Sequence, residues 1–370
     1  MHEFSTNEYL PEPKILVIGI GGGGNNAVDR MIDTKSENVD YAAMNTDIQT
    51  LHSCKADIKI QLGKKLTSGF GAGSDSDIGE AAAKENEEEI KELVKDYDLC
   101  ILTCGMGGGT GTGAISVIAN CCKAQNILTI AIVTTPFSYE GTPRLLAAQN
   151  GLEKLKSNVD TLLIIPNDKL IGLSDTPLFL EDAFQIADSV LKYSIEGITN
   201  IIYNRGMVNL DFNDLRTTLS NKGIGHLGIG IVDTGTSILE AVDQAINSPL
   251  LDTTIQGASN LLINTCGKIN IAELNDAINY VRKIAGEHVN IIWGTVTATN
   301  FDTEKISVTL IATGMTEKKP EPSLTKATIS EKHPELELKE WKLNTKTLPT
   351  SSPKIDLVIP SFLLDAHRRK

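Results

Sequence analysis

The sequence lacks the features of several large classes of protein. No apolar run approaches the ~18 residues that a membrane-spanning helix needs. Basic residues are too few for a nucleic-acid-binding surface, since 34 Lys and Arg stand against 47 Asp and Glu and the formal net charge is -13. The opening segment, MHEFSTNEYLPEP, has no basic stretch followed by an apolar one, so no signal or transit peptide is expected. These absences predict a soluble cytoplasmic protein that neither inserts into a membrane nor binds nucleic acid.

The sequence also lacks the cysteine spacings of metal or redox sites and the P-loop motif of many nucleotide-binding proteins. The six cysteines fit no zinc or redox spacing, so we expect reduced, buried thiols without a chemical role. No GxxxxGK[ST] segment occurs, which excludes a P-loop nucleotide site. The sequence also predicts no dedicated metal site.

What the sequence does contain is a long alternation of apolar strands and helices. In residues 13–177 the strands are apolar throughout, which is typical of a parallel sheet buried on both faces. An amphipathic helix is predicted for residues 178–203, and residues 204–315 repeat the strand and helix pattern on a smaller scale. The predicted fold class is therefore α/β: a parallel-sheet nucleotide-binding domain, a central connecting helix and a second, smaller α/β domain.

The two ends of the chain differ from this body in composition. Residues 1–12 are interpreted as an N-terminal extension. Residues 316–354 mix prolines with Lys, Glu, Ser and Thr and show no sustained apolar period, which predicts a flexible, disordered linker. Residues 355–370, IDLVIPSFLLDAHRRK, restore apolar side chains before a basic end. Such a peptide either packs on its own domain or docks in the groove of a partner.

A first glycine loop, GIGGGG at residues 19–24, follows the first predicted strand. It satisfies the GxGxxG pattern of dinucleotide-binding domains, so an NAD-dependent dehydrogenase is one hypothesis. That hypothesis expects an acidic residue at the end of the second strand, to bind a ribose. Asp47 stands there, so this loop alone neither supports nor excludes a dehydrogenase.

A second glycine loop, GGGTGTG at residues 107–113, distinguishes the hypotheses. Its glycines let backbone N–H groups approach phosphate oxygens, Thr110 and Thr112 can add hydroxyl donors, and the following helix presents its positive N-terminus. Dehydrogenases have no counterpart of this loop, and a turn selected only for tight packing would not need five glycines and two threonines in seven residues. Two such loops can surround one polyphosphate, so the sequence predicts a nucleotide-phosphate site.

At these residues the sequence resembles the tubulin and FtsZ superfamily of GTPases. GGGTGTG is the signature loop of that superfamily, and the resemblance to the bacterial FtsZ cell-division GTPases extends over residues 13–315. Other segments fall in the family's order: GIGGGGNNAV (19–28), NTD (45–47), GAG (71–73), PFSYEG (136–141), PND (166–168), AFQIADSVL (183–191) and NLDFND (209–214). The terminal DLVIPSFL looks like the family's partner-binding tail.

The resemblance implies a set of nucleotide contacts. The phosphates would be bound by Gly22, Gly23, Gly24, Gly108, Gly109, Thr110 and Gly111. Glu140 and Arg144 would hold the ribose and adjacent groups, although a surface ion pair is the alternative for them. Phe184 would cover the base and Asp188 would accept from the guanine N–H groups, since the two lie on one helix face; without the resemblance, Phe184 is a core residue. Further contacts are expected from Asn25, Asn26 and Asn167.

A second constellation consists of Asn209, Asp211 and Asp214. Residue types alone favour simple capping of a helix start for the two carboxylates. The resemblance implies a different role, in which this loop enters the nucleotide site of the next subunit. Asp211 and Asp214 would then polarise the attacking water and its associated cation, and Asn209 would help position them.

The implied function is a GTPase that forms filaments. GTP is the substrate and GDP the product, Mg²⁺ accompanies the nucleotide, and hydrolysis requires polymerisation. The filament would form the division ring at mid-cell and would be tethered by residues 355–370 to a membrane-associated adaptor. A plasmid-partitioning or cell-shape filament protein of the same superfamily is the alternative.

Four residues, in three places, depart from the family's usual pattern. Ile115 and Ser116 stand where Ala-Pro is common, Thr135 stands where an arginine is common, and His226 occupies a position that is usually apolar or small. These positions lie beside the expected site, so we expect effects on rates and filament contacts. We expect His226 to be a partly exposed strand residue without a metal role.

Overall fold

The computed structural model describes residues 12–32, 39–171, 179–203, 211–248, 254–267, 269–296 and 305–315. The predicted linker and tail lie outside the described residues, as does Asn209 and nearly all of the predicted N-terminal extension. None of the helices in the described ranges is long and apolar enough to cross a membrane.

Strands and helices alternate along the described chain. The strands are β1 (Ile15–Ile20), β2 (Val39–Asn45), β3 (Ile58–Gln61), β4 (Leu99–Gly105), β5 (Leu128–Thr135), β6 (Thr161–Pro166), β7 (Gly223–Asp233), β8 (Asn260–Cys266), β9 (Asn290–Val296) and β10 (Lys305–Thr313). The helices are α1 (Gly21–Ile32), α2 (Ile48–Ser53), α3 (Lys64–Thr67), α4 (Ser76–Glu85), α5 (Glu87–Val94), α6 (Gly109–Ala124), α7 (Thr142–Lys156), α8 (Asn167–Ile171), α9 (Leu180–Tyr203), α10 (Phe212–Leu219), α11 (Ile238–Ile246) and α12 (Ile271–Ala285). A short 3-10 turn, Ser138–Glu140, precedes α7.

The strands form one sheet in the order β3-β2-β1-β4-β5-β6-β7-β10-β8-β9. Every pairing from β3 to β7 is parallel, whereas β10 runs antiparallel to both of its neighbours, β7 and β8. β7 belongs to both halves, because residues 223–225 pair with β6 and residues 226–233 pair with β10. The predicted order of a parallel-sheet region followed by a smaller α/β region is confirmed, and the two regions share β7.

The parallel part of the sheet is buried on both faces, as its apolar strands predict. In β1, Ile15 and Val17 join one apolar cluster while Leu16 and Ile18 join another, because successive side chains of a strand point to opposite faces. α1 and α9 contribute to the first cluster, and α4, α5, α6 and α7 contribute to the second. A third cluster joins α11 and α12 to the strands of the smaller region.

The acidic stretch of residues 76–94 forms two helices, α4 and α5, which meet at Asn86. Asn86 has φ -103° and ψ 16°, and its side-chain oxygen accepts a hydrogen bond from the Gly63 backbone at 2.9 Å. This contact is made across 23 positions of sequence, and it separates α4 from α5. Local periodicity could not indicate the break, because the partner of Asn86 comes from another part of the chain.

The expectation of a partly exposed His226 was wrong. Its side chain is fully buried in β7, opposite Ala312 of β10, at the point where the two halves of the sheet meet. All six cysteines are free thiols; Cys266 is partly buried, and the other five are buried: Cys54, Cys100, Cys104, Cys121 and Cys122.

Candidate nucleotide site

A cavity of about 670 Å³ lies at the carboxyl ends of β1, β4 and β5. Ligands of open parallel sheets bind in this position, because the loops that leave neighbouring strands diverge there. All of the predicted nucleotide contacts except Gly24 and Asn25 line it: Gly22, Gly23, Asn26, Gly108, Gly109, Thr110, Gly111, Glu140, Arg144, Asn167, Phe184 and Asp188. The structure thus assembles in one place residues that are more than 160 positions apart in the sequence.

The first glycine loop begins α1 directly after β1. A Cβ atom on Gly24 would lie 2.4 Å from the carbonyl oxygen of Thr103 in β4, so Gly24 permits close packing beneath the loop. A Cβ on Gly22, by contrast, would have no atom within 4 Å and would point into open space. Because the first N–H groups of a helix have no partner within it, this turn offers donors to an anion in the cavity.

The second glycine loop connects β4 to α6 and is closed by its own side chain. The backbone N–H of Gly107, which has φ 92°, donates to the hydroxyl of Thr112 at 2.8 Å, and Thr112 is buried. Thr112 therefore shapes the loop, although its sequence position suggested a possible phosphate donor. Gly108 has open space where a Cβ would be, whereas a Cβ on Gly109 would lie 2.8 Å from the backbone nitrogen of Asp75.

Side chains beneath the two loops hold them together. Asn25 is buried and donates to the carbonyl oxygen of Gly19 at 2.9 Å, while its own oxygen accepts from Asn45 at 2.7 Å. The hydroxyls of Thr46 and Thr110 lie 2.6 Å apart. Asn25 thus supports the loop from below, and Asn26, the next residue, lines the cavity.

Glu140 and Arg144 form an ion pair at the rim of the cavity. The second carboxylate oxygen of Glu140 accepts from the backbone N–H of Phe137 at 2.8 Å, so the carboxylate is fixed from two sides. Arg144 remains about half exposed. The ion pair that residue types alone favoured is therefore present, and it stands at the predicted position beside the phosphate loops.

Phe184 and Asp188 line the cavity from α9. Phe184 is 42 % exposed, so it is not the core residue that its type suggests, and its ring meets Phe137 edge to face at 5.3 Å. Asp188 accepts a hydrogen bond from Nε of Arg30 at 3.0 Å. Burial raises the pKa of Asp188 to about 6, although the neighbouring Arg30 guanidinium opposes the rise.

Arg30 lines the cavity but was not predicted from the sequence. It lies on α1 four residues after Asn26, and residues four apart share one face of a helix. The spacing of four residues from Asn26 is the sequence feature that could have identified Arg30 as a lining residue. The ion pair itself joins positions 158 apart, which periodicity cannot relate.

Asn167 carries an unsatisfied polar atom in the wall of the cavity. The residue is 5 % exposed, and its side-chain oxygen has no hydrogen-bond partner in the described part of the chain. Leaving a buried acceptor unpaired costs about 1–3 kcal/mol. Such atoms commonly find a partner in a ligand, which makes Asn167 a further candidate for ligand binding.

Comparison with known proteins identifies the family. Residues 14–175 match the Tubulin/FtsZ family, GTPase domain, and residues 223–316 match the FtsZ family, C-terminal domain. A solved FtsZ dimer from M. jannaschii is 42% identical, with a TM-score of 0.78 over 82% of this chain and 89% of that one. The chain belongs to the FtsZ family.

More distant structures share the fold. CetZ1 from Haloferax volcanii, solved as a GDP-bound monomer, is 22% identical with a TM-score of 0.72, over 82% of this chain and 95% of that one. CetZ2 from Haloferax volcanii, solved as a GTPγS-bound protofilament, is 18% identical with a TM-score of 0.70, over 83% and 94%. At these identities the comparison supports the FtsZ-type fold alone.

Membership of the FtsZ family sets the dehydrogenase hypothesis aside. Asp47, the residue that left that hypothesis open, caps α2: its carboxylate accepts from the backbone N–H groups of Gln49 at 2.8 Å and Thr50 at 3.3 Å. It is not among the residues that line the cavity. The carboxylate of Asp47 therefore acts as a helix N-cap.

The two carboxylates of the other constellation lie away from the cavity lining. Asp211 caps α10 by accepting a hydrogen bond from the backbone N–H of Asp214 at 2.8 Å, and both residues are exposed. Neither lines the cavity. The capping role that residue types favoured is thus observed for Asp211, and the carboxylate of Asp214 projects from the first turn of the helix.

The unusual residues of the FtsZ pattern lie near the second glycine loop. Ile115 is fully buried in α6, and Ser116 beside it is 8 % exposed. Thr135 ends β5 and is partly buried. None of the three lines the nucleotide cavity.

Proposed function

We propose that this FtsZ-family GTPase binds GTP in the cavity, hydrolyses it to GDP and phosphate, and polymerises head to tail into filaments that form the cell-division ring. We further propose that hydrolysis is completed between adjacent subunits. The observation that supports the second part is a separation: the cavity holds the binding groups, and the exposed carboxylates Asp211 and Asp214 stand elsewhere on the chain.

Phosphate binding is supported by two helix starts at one cavity. α1 and α6 both begin at a glycine loop, and each presents unpaired N–H groups and the positive end of its dipole. Gly22 and Gly108 leave open space where side chains would stand, so an anion can approach the backbone there. A polyphosphate could lie between the two loops.

Base selection is supported by two side chains of α9 that line the cavity. The exposed face of Phe184 can cover a purine ring, and Asp188 can accept from the N1–H and N2–H groups that guanine carries and adenine lacks. Glu140 and Arg144 also line the cavity and would contact the ribose and adjacent groups.

The proposal of shared hydrolysis rests on the carboxylates that line the cavity, both of which already have a partner. Among the described lining residues these are Glu140 and Asp188, and each is paired with an arginine. In the proposed pose Glu140 contacts the ribose and Asp188 the base, so neither carboxylate is placed to activate the attacking water. Asp211 and Asp214 of a neighbouring copy, with Asn209, would supply groups that the cavity lacks.

Mg²⁺ would accompany the triphosphate. The described residues contain no group of three or more His, Cys, Asp or Glu that could hold a metal ion. Mg²⁺ is commonly bound by substrate phosphates with one or two carboxylates, so this donor set is compatible with an ion carried by the nucleotide. When bound, Mg²⁺ would neutralise charge on the phosphate oxygens.

We also propose a cytoplasmic location at mid-cell, with residues 355–370 tethering the filament to a membrane-associated adaptor. This rests on the resemblance of the terminal DLVIPSFL to the family's tail. A plasmid-partitioning or cell-shape filament is the alternative role. The match to the FtsZ C-terminal domain and the 42% identity to an FtsZ favour division.

One experiment tests nucleotide choice, assembly and their coupling together. Purified full-length protein receives GTP or ATP, and light scattering and phosphate release are recorded over a range of protein concentrations. We expect scattering with GTP alone, and a specific activity that rises steeply above a critical concentration. Equal turnover per molecule at all concentrations would contradict shared hydrolysis, and a response to ATP equal to that to GTP would contradict the assigned nucleotide.

A further inference from the structure

A second cavity, of about 420 Å³, is walled by the helices α4, α6 and α7. Glu80 and Lys84 line it from α4, Ser116 and Asn120 from α6, and Lys154 from α7. We call it the lysine cavity. Among the described residues, none lines both the lysine cavity and the nucleotide cavity, so the proposed binding and hydrolysis of GTP leave these side chains without a role.

Ser116 carries a buried hydroxyl that the fold does not use. The residue is 8 % exposed, and its hydroxyl has no hydrogen-bond partner in the part of the chain that the structure describes. A serine inside a helix commonly bonds to a carbonyl one turn earlier, as Ser194 does to Val190 at 2.6 Å. Ser116 makes no such bond, and it shares a face of α6 with Asn120, whose exposed side chain lines the same cavity.

The charged groups of the lysine cavity have hydrogen-bond donors in excess. One carboxylate oxygen of Glu80 accepts from Lys84 at 2.7 Å and the other from Lys154 at 2.8 Å. These hydrogen bonds, that of Lys154 first, hold the pKa of Glu80 below its usual value, so the carboxylate is ionised at neutral pH. The other lining carboxylate, Glu87, is paired with Lys91 at 3.0 Å.

The two lysines keep donors that Glu80 does not occupy. An ammonium group has three N–H donors, and the side chains of Lys84 and Lys154 are 60% and 57% exposed. Because one carboxylate lies between two ammonium groups, the three side chains together retain a net positive charge. Their environment therefore favours an anionic ligand with several acceptor atoms.

We propose that the lysine cavity binds a phosphate monoester, whose phosphoryl oxygens accept from Lys84, Ser116 and Lys154. These donors come from three helices and approach from different directions, which suits a tetrahedral oxyanion better than a planar carboxylate. At about 30 Å³ for a group the size of water, a phosphate group fills only part of the cavity. The remaining volume accommodates the organic part of the ligand.

Calorimetric titration of the full-length protein with glycerol 2-phosphate tests this proposal. Saturating GDP is added to fill the nucleotide cavity, the ionic strength is held constant with potassium chloride, and the pH is about 7.5, where the ester carries close to two negative charges. We expect wild-type protein to bind the ester. Ser116→Ala should bind it roughly tenfold more weakly, since it loses a hydrogen bond to a charged group, and so should Lys154→Met, which leaves Glu80 paired with Lys84.

Ser116→Ala is the sharpest variant, because the lost hydroxyl makes no bond within the described residues and alanine favours a helix. Its unfolding temperature without the ester should therefore lie within a few degrees of wild type. Lys95→Met is the matched control. Lys95 is exposed, is ion-paired with Glu92 and does not line the cavity, so this variant should bind the ester as wild type does.

Each outcome decides the proposal. Weaker binding in Ser116→Ala and Lys154→Met, with Lys95→Met unchanged, supports it. Wild-type protein that does not bind the ester overturns it and leaves water as the occupant of the cavity. Equal binding in all the proteins would place the ester elsewhere, for example beside GDP, and equal weakening in Lys95→Met would indicate general charge attraction; both results overturn the proposal. Failure of GDP to bind would contradict the proposed GTP-binding function separately.

Discussion

The nucleotide cavity and the start of α10 differ in how their carboxylates are engaged. The cavity has two helix starts, the exposed ring of Phe184 and two carboxylates that are each paired with an arginine. The start of α10 has two exposed carboxylates, Asp211 and Asp214, and it contributes nothing to the lining of the cavity. In the proposed mechanism the first region binds the nucleotide and the second activates the attacking water molecule.

This division has a consequence for regulation. If the two regions meet only when one subunit contacts the next, an isolated subunit can hold GTP without consuming it. Proximity of reacting groups is worth several kcal/mol of the barrier, so assembly would act as the switch for catalysis. Hydrolysis would then be confined to subunits inside a filament.

The largest effect is expected from Asp214→Ala. It should reduce GTP turnover by about 10²–10⁴-fold, the usual worth of a general acid or base, and leave GDP affinity unchanged. The α10 cap survives, because Asp211 accepts from the backbone N–H of Asp214, which alanine retains. Phosphate release at saturating GTP and high protein concentration measures the loss. The matched control is Asn213→Ala, an exposed residue of the same helical turn.

A mixture of two variants tests whether the cavity and Asp214 can act from different subunits. Asp214→Ala subunits keep an intact cavity, and Gly108→Ser subunits keep an intact Asp214 but should bind nucleotide more weakly, so GTP is kept at a concentration that leaves the Gly108→Ser cavities largely empty. A mixture should hydrolyse GTP faster than either variant alone, because a cavity from one meets a carboxylate from the other. Inactivity of a mixture that still co-assembles would place Asp214 outside the catalytic contact.

Neighbouring glycines of the second loop should respond differently to the same substitution. Gly108 has φ -86°, caps α6 and has open space where a Cβ would stand, so Ser fits and can cap the helix. It should nevertheless weaken GDP binding roughly tenfold to hundredfold, since its side chain enters the cavity. Gly109→Ser forces a Cβ to within 2.8 Å of the Asp75 backbone and 2.9 Å of Ala72, and should damage both folding and binding.

Thermal unfolding without nucleotide separates the two glycines. Gly108→Ser should unfold within a few degrees of wild type, whereas Gly109→Ser should lose roughly 1–3 kcal/mol of stability through overpacking. Comparable stability losses in both variants would mean that Gly108 also serves the fold. Unchanged GDP affinity in a stable Gly108→Ser protein would mean that the phosphates do not bind at this loop.

The cavity follows from the sequence to the extent that its residues lie in loops with a local signal. The glycine runs at residues 19–24 and 107–113 mark two strand ends, and parallel strands bring such ends to one edge. Contacts made by folding were not predictable in this way. The Arg30 and Asp188 pair, the break at Asn86 and the burial of His226 each depend on a partner from a distant part of the chain.

Roles within the site were harder to infer than positions. Thr112 and Asn25 were both candidates for ligand contact, and the structure uses them to fasten the loops. A polar residue beside a glycine run can either face the ligand or satisfy the turn's own backbone groups. Only the tertiary arrangement distinguishes the two, because both uses require the same residue types.

The smallest expected effect concerns pH at the base-binding end. Burial raises the pKa of Asp188 to about 6, and only the ionised carboxylate can accept from both guanine N–H groups. As pH falls below 6, the protonated fraction rises, and GDP affinity should fall by up to about tenfold per pH unit. Above pH 7 the affinity should be nearly constant. Calorimetric titration between pH 5 and pH 8 would measure this profile.

Asp188→Asn supplies the reference for that profile, because the nucleotide phosphate also titrates near pH 6 and affects both proteins alike. The wild-type to variant ratio of GDP affinities cancels the phosphate contribution and should fall towards one as Asp188 becomes protonated. A ratio that stays constant from pH 5 to pH 8 would mean that Asp188 does not titrate in this range or does not contact the base. Asp188→Asn should also improve binding of xanthosine diphosphate relative to GDP, since xanthine carries an acceptor at position 2 that an amide N–H can meet. That exchange of preference would locate the base at Asp188 independently of any pH effect.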